Sequence, residues 1–141
     1  MSFKFLVDTN VLSEPRRLSP DPGIMTALER HATQIVTAAP VWFELRYGVA
    51  RLPESHQKKL LSRYLESVIR ATIPIFPYDE EAATWHATQR ALLERQGHTP
   101  PFVDGQIAAI AATNDLCLVT ANVSDFSCFQ SLEIVDWSSS T

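Results

Sequence analysis

Phe3-Lys4-Phe5-Leu6-Val7-Asp8-Thr9-Asn10 reads as a short apolar strand that ends on a carboxylate and breaks into a polar turn. Four more runs have strand character: 34–38, 73–76, 116–120 and 133–136. Between them lie five helix-length patterns, at 22–32, 40–52, 54–71, 79–96 and 102–114. Strands alternating with helices predict a parallel sheet covered on both faces, an α/β/α sandwich of about five strands. In such a sheet ligands bind beyond the carboxyl ends of the strands, which is where Asp8 falls.

The helix boundaries follow local chemistry. Pro22 and Pro40 suit first helical turns. In 54–71, Leu60, Leu61, Tyr64, Leu65, Val68 and Ile69 recur at helical spacing. Asp79-Glu80-Glu81 places acids at a positive helix start, and Gly97 suits the stop. The 141 residues predict one domain over 1–137, with 138–141 as a flexible tail.

Bulk composition excludes several classes. Apolar residues make up 45% and charged residues 20%, ordinary for a globular chain. No apolar run approaches the roughly 20 residues a membrane span needs, and no signal-peptide pattern precedes the first strand. Two cysteines are too few for a disulfide framework; Cys117, in an apolar run, reads as a buried thiol. A cytoplasmic location is expected. The net charge of −4 argues against broad electrostatic binding of nucleic acid, so function must rest on a local site.

Three more acids occupy places comparable to that of Asp8. Glu44 lies one turn into a helix among apolar neighbours, which predicts partial burial; it is then paired, protonated or bound to metal, or else exposed on a polar face. Asp104 heads an apolar helix and shares a face with Ala108 and Ala111; it is a ligand or an N-cap. Asp125 follows the fourth strand and is a ligand or a turn former. Asp8 itself is a ligand or a cap. Two carboxylates about 4 Å apart repel by roughly 4 kcal/mol at an effective dielectric of about 20. Four converging acids therefore need a cation or extra protons, and Mg²⁺ or Mn²⁺ suits hard oxygen ligands.

Other chemistries lack their patterns. There is no nucleophile elbow, no phosphate-binding glycine loop and no Cys–His metal spacing. His31, His56, His86 and His98 read as surface residues. Arg46, Arg51, Lys58, Lys59 and Arg63 read as a solvated face, with a second reading that puts Arg46 and Arg51 at the rim of the site, gripping RNA phosphates.

Four segments then match a known family in order. Val7-Asp8-Thr9-Asn10-Val11-Leu12-Ser13-Glu14, Phe43-Glu44-Leu45-Arg46-Tyr47-Gly48, Asp104-Gly105-Gln106-Ile107-Ala108-Ala109 and Leu118-Val119-Thr120-Ala121-Asn122-Val123-Ser124-Asp125-Phe126 resemble the motifs of PIN-domain toxins, most closely the VapC-type and FitB-like toxins of type II toxin–antitoxin modules. The resemblance implies a Mg²⁺- or Mn²⁺-dependent endoribonuclease acting on single-stranded or loop RNA. It implies Asp8 and Asp104 as metal ligands, Glu44 and Asp125 as ligands directly or through water, and Thr9, Asn10, Thr120 and Asn122 as supporting residues, with Thr9 and Asn10 orienting Asp8. It also implies a homodimer and a cognate antitoxin. Ala121 stands where the family often carries a basic residue, and Thr99-Pro100-Pro101-Phe102-Val103 departs from the usual approach to the third motif. The alternatives are a catalytically inactive PIN-like binding module and an aspartyl phosphatase; the latter lacks the second Asp of its D-x-D-x-T motif.

Overall fold

The computed structural model describes residues 2–139. The elements are β1 (Phe5–Val7), α1 (Thr9–Leu12), α2 (Pro22–Arg30), β2 (Ile35–Ala38), α3 (Ala39–Ala50), α4 (His56–Tyr64), β3 (Ile75–Phe76), α5 (Glu80–Arg95), α6 (Phe102–Thr113), β4 (Cys117–Val119), α7 (Val123–Phe126) and β5 (Ile134–Val135). All five expected strands form, and each pairing is parallel. The sheet order is β3-β2-β1-β4-β5, so β1 is central.

That order has one reversal. From β1 the chain winds outward through β2 and β3, then crosses back to place β4 on the other side of β1. The seam between β1 and β4 is the topological switch point, where the connections leave a crevice at the carboxyl edge. Its register pairs Phe5 with Cys117, Leu6 with Leu118 and Val7 with Val119. The residues that leave this edge together are Asp8 and Thr120.

The strands at the seam are buried on both faces: Leu6, Val7, Leu118 and Val119 have no accessible surface. Such strands lose the polar alternation of an open sheet and read as continuous apolar runs. Thr37, buried in β2, satisfies its hydroxyl by donating to Val7 O at 2.8 Å. Pro74 has no N–H to give, and the edge strand β3 shortens to Ile75–Phe76, while the Pro74 carbonyl accepts from Thr37 N at 3.0 Å.

Helix α6 is buried nearly all round, with Gly105 and every residue from Ile107 to Ala111 inside. Its small residues let α5 approach closely. A Cβ on Gly105 would lie 2.1 Å from His86 Nε2. His86 is 3% exposed and its Nδ1 pairs with the Tyr78 hydroxyl at 2.8 Å. The surface reading of His86 is thus wrong, because a tyrosine eight residues earlier satisfies its ring across a loop. His31 is likewise partly covered, stacked on Trp137 and packed against Phe5.

Other details depart from expectation. The 54–71 helix is two pieces: α4 runs on into a π-helical turn, Leu65–Arg70, which buries Leu65 and Ile69. Four-residue helices α1 and α7 and the 3₁₀ turns Glu14–Arg16 and Ala32–Gln34 were not expected. Cys117 is only partly buried, since it faces a hollow shared with Phe3, Phe5 and Trp137. Of the expected tail, Ser139 donates to Asp21 Oδ1 from its backbone N (2.9 Å), and its hydroxyl accepts from Gly23 N (3.0 Å); residues 140 and 141 lie outside the described residues. Among the described residues no helix is long and apolar enough to cross a membrane.

Candidate active site

Asp8 sits at the mouth of the β1–β4 seam and is 6% exposed. Its two oxygens are held separately. Oδ1 accepts from Thr9 N at 2.7 Å, which makes Asp8 the N-cap of α1. Oδ2 accepts from the Thr120 hydroxyl at 2.9 Å, and that hydroxyl accepts in turn from Asn122 N at 3.0 Å. A second link crosses the seam: Asn10 Oδ1 accepts from Ala121 N at 3.2 Å. The ends of β1 and β4 are therefore stitched by side chains that also fix the Asp8 carboxylate. Capping uses only one of the two oxygens, so the cap reading and the ligand reading posed by the sequence do not exclude each other.

Glu44 reaches the seam from the next strand over. β2 runs straight into α3, and Glu44 stands in the second turn of that helix. The Thr9 hydroxyl donates to Glu44 Oε1 at 2.8 Å, tying α3 to the turn after β1. Glu44 is exposed rather than partly buried. Its chain neighbours are apolar, but Phe43 and Tyr47 also point to solvent. The basic residues nearest to it in sequence go elsewhere: Arg46 lies over Trp42 and donates to Ser62 Oγ, and Arg51 lies over Tyr47.

Asp104 and Asp125 complete the edge from opposite directions. α6 runs toward the amino edge of β4, so its first turn, carrying Asp104, starts at the carboxyl edge. α7 begins just past β4 and carries Asp125 in its first turn, exposed. A helix start favours an anion by about 0.3–1 kcal/mol. Asp104 nevertheless has its pKa pushed up to about 6, first by burial, then by the charges of Asp8, Asp125 and Glu44. Burial also raises Asp8, against the bonds from Thr9 and Thr120 that lower it, and Asp125 adds to the rise. The other three acids thus all act on Asp104, and Asp125 acts on Asp8 as well. Among the described residues no three His, Cys, Asp or Glu side chains close into a ready-made metal cage.

The shift of Asp104 predicts a pH dependence. Its folded pKa lies above the unfolded value of 3.8, so between pH 4 and about 6 the folded state holds more protons than the unfolded one. The metal-free protein should lose stability as pH rises through that window. Thermal melts at pH 5 and pH 7 should show a smaller pH effect in Asp104→Asn than in the parent. Equal pH effects in the two proteins would contradict the like-charge environment.

One wall of the site was missed by sequence reading. A cleft of about 300 Å³ runs from Thr9 and Glu44 along Gly48 to Arg16, Leu61 and Tyr64. Arg16 lies 5.4 Å from the Tyr64 ring centroid. No motif flags a tyrosine 48 positions away, so the arginine read as one of many. Glu14, an acid of the first motif, is occupied otherwise: it is buried and accepts from Asp21 N (2.7 Å) and Arg17 Nη1 (3.2 Å).

Comparison with known proteins agrees with this architecture. A family model described as PIN domain matches residues 5–127. Toxin FitB of Neisseria gonorrhoeae is 33% identical over 127 residues, covering 86% of this chain and 89% of the relative. The tRNA(fMet)-specific endonuclease VapC of Shigella flexneri is 28% identical over 137 residues, covering 96% and 98%. A solved structure of FitAB bound to an IR36 DNA fragment contains a chain that superposes with a TM-score of 0.87 at 28% identity, covering 97% of this chain and 98% of that one.

Proposed function

The chain belongs to the PIN-domain family, and on that premise we propose that it is a metal-dependent endoribonuclease, the toxin of a type II toxin–antitoxin pair. The observation that carries the reading is the raised pKa of Asp104, driven by burial and by three other acids at the same sheet edge. No basic side chain offsets these charges: none is paired with Asp8, Glu44, Asp104 or Asp125 among the described residues. The relatives point the same way, as a toxin and an RNA endonuclease.

The donor set is all carboxylate, which fits a hard divalent cation, Mg²⁺ or Mn²⁺. Asp8 and Asp104 would hold it, with Glu44 and Asp125 completing the set directly or through water. When bound, such a cation supplies an activated water and stabilises the departing oxygen of a phosphodiester. Thr120 and the Thr9 backbone keep Asp8 in one orientation, and Thr9 keeps Glu44 turned to the edge. Arg16, Arg46 and Arg51 stand near enough to the cleft or α3 to meet RNA phosphates. A FitB- or VapC-like chain would act as a homodimer and be silenced by an antitoxin seated over this edge.

The test is cleavage of defined single-stranded RNAs with Mn²⁺ or Mg²⁺ and with EDTA. Cleavage should require the cation and stop in chelator. Cleavage undiminished by EDTA, or none under any condition, would overturn the proposal. Metal should also raise the melting temperature by linkage, since it binds the folded edge and not the unfolded chain.

A further inference from the structure

Helix α6 begins without a side-chain cap. Pro101 precedes it and has no side-chain oxygen to accept from the first free amides. Asp104 stands in that first turn, so its position depends on what else holds the turn. Contacts from α5 do so. Arg90 Nη1 donates to the Pro100 carbonyl at 3.2 Å, just ahead of the helix. Phe102, which opens the helix, meets both the His86 ring (centroids 4.8 Å apart) and the Arg90 guanidinium (5.7 Å). Beyond Asp104, the tip of the His86 ring abuts Gly105, leaving no room for a Cβ. His86 is braced from behind, its Nδ1 paired with the Tyr78 hydroxyl at 2.8 Å.

We propose that His86 and Arg90 are positioning residues for Asp104: a clamp from α5 that grips the chain on both sides of this acid and takes the place of the missing cap. This deepens the nuclease reading and rests on it. The two residues lie four apart, on one face of α5. The stretch they grip, Pro100 to Phe102, falls in the segment that departs from the family pattern. Arg90 is not there to fill the core. Its side chain is 31% exposed, and by lying inward it gains the Pro100 carbonyl and the face of Phe102. Groups that orient a metal ligand without touching the metal are commonly worth about 10–100-fold in metal affinity or activity.

The test uses Arg90→Met, which keeps length and loses the donor, and Tyr78→Phe, which frees the ring. Arg90→Lys retains a donor, and Ile24→Ala in α2 is a core control outside the clamp. Two quantities are read well below the melting temperature. One is exchange of the Gly105 amide, bonded to Pro101 O, relative to the Leu118 amide in β4. The other is the Mn²⁺ concentration for half-maximal RNA cleavage. Arg90→Met and Tyr78→Phe should each speed Gly105 exchange relative to Leu118 and raise the Mn²⁺ requirement, both by about tenfold. Arg90→Lys should recover part of each change. Ile24→Ala should lower the melting temperature and leave both quantities at the parental value. An unchanged exchange ratio overturns the proposal. Faster exchange with an unmoved Mn²⁺ requirement also overturns it and makes the pair a brace of the fold alone. If the parent cleaves no RNA with Mn²⁺, the nuclease reading fails, and the exchange ratio alone decides whether the pair holds the turn. Mn²⁺-dependent cleavage that neither variant alters keeps the nuclease reading and sinks the clamp.

Discussion

Asp8→Asn should lower metal-dependent RNA cleavage by on the order of 10³-fold, the several kcal/mol expected when a cation loses a principal ligand. The fold should survive. Asparagine keeps an oxygen for Thr9 N, so the cap of α1 is retained. Its amide can donate to the Thr120 hydroxyl, which now donates to the carboxylate at 2.9 Å. Burial disfavours the charged form of Asp8, and the Asp125 charge disfavours it further. Neutralisation removes both effects, so the metal-free variant should melt at or above the parent's temperature. The gain that metal gives to the melting temperature should shrink in parallel with activity. Asp8→Ala provides the contrast. It loses the cap as well as the charge and should cost about 1 kcal/mol of stability. Cleavage by Asp8→Asn at the parental rate would remove Asp8 from the chemistry and leave it a cap alone.

Gly105→Ala is the substitution expected to damage the fold most. In an exposed helix the change would gain about 1 kcal/mol. Here the new methyl would meet three ring atoms of His86, at 2.1, 2.6 and 2.9 Å. The ring cannot swing aside freely, because it is buried and its other nitrogen is bonded to Tyr78. Overpacking of this kind costs about 1–3 kcal/mol, enough to outweigh the helix gain. Urea unfolding should show a lower midpoint with an unchanged slope. The damage should be coupled to the ring. In a double-mutant cycle with His86→Ala, the second substitution should recover much of the loss. A midpoint equal to or above the parent's would mean that α5 and α6 have room to part. Because Asp104 is the adjacent residue, cleavage should fall beyond what the loss of folded protein explains.

The fold was legible because its central strands are buried on both faces and stand out as continuous apolar runs, as in Leu6-Val7 and Leu118-Val119. Their ends named Asp8 and Asp125 as edge residues directly. Helices α1 and α7 were not legible, since four residues are too few to show a 3.6-residue period. For Glu44 the sequence left partial burial and exposure open, and exposure holds, because Phe43 beside it and Tyr47 one turn on also face outward. His86 and Arg16 escaped because no sequence pattern marks their partners, Tyr78 in the loop before α5 and Tyr64 at the end of α4. Sequence also posed cap against ligand for Asp8, a choice that two separately bonded oxygens do not require.

The β1–β4 seam has a consequence in time as well as in space. Asp8 and Thr120, which holds its second oxygen, lie 112 positions apart. Synthesis therefore delivers the β1–β2 pairing well before the β1–β4 pairing, and pairings so distant in sequence form slowly. A nascent chain that ends before β4 carries Asp8, Glu44 and Asp104 but has neither the seam nor Asp125. A chain built this way completes its carboxylate edge only once β4 and the turn after it have been made.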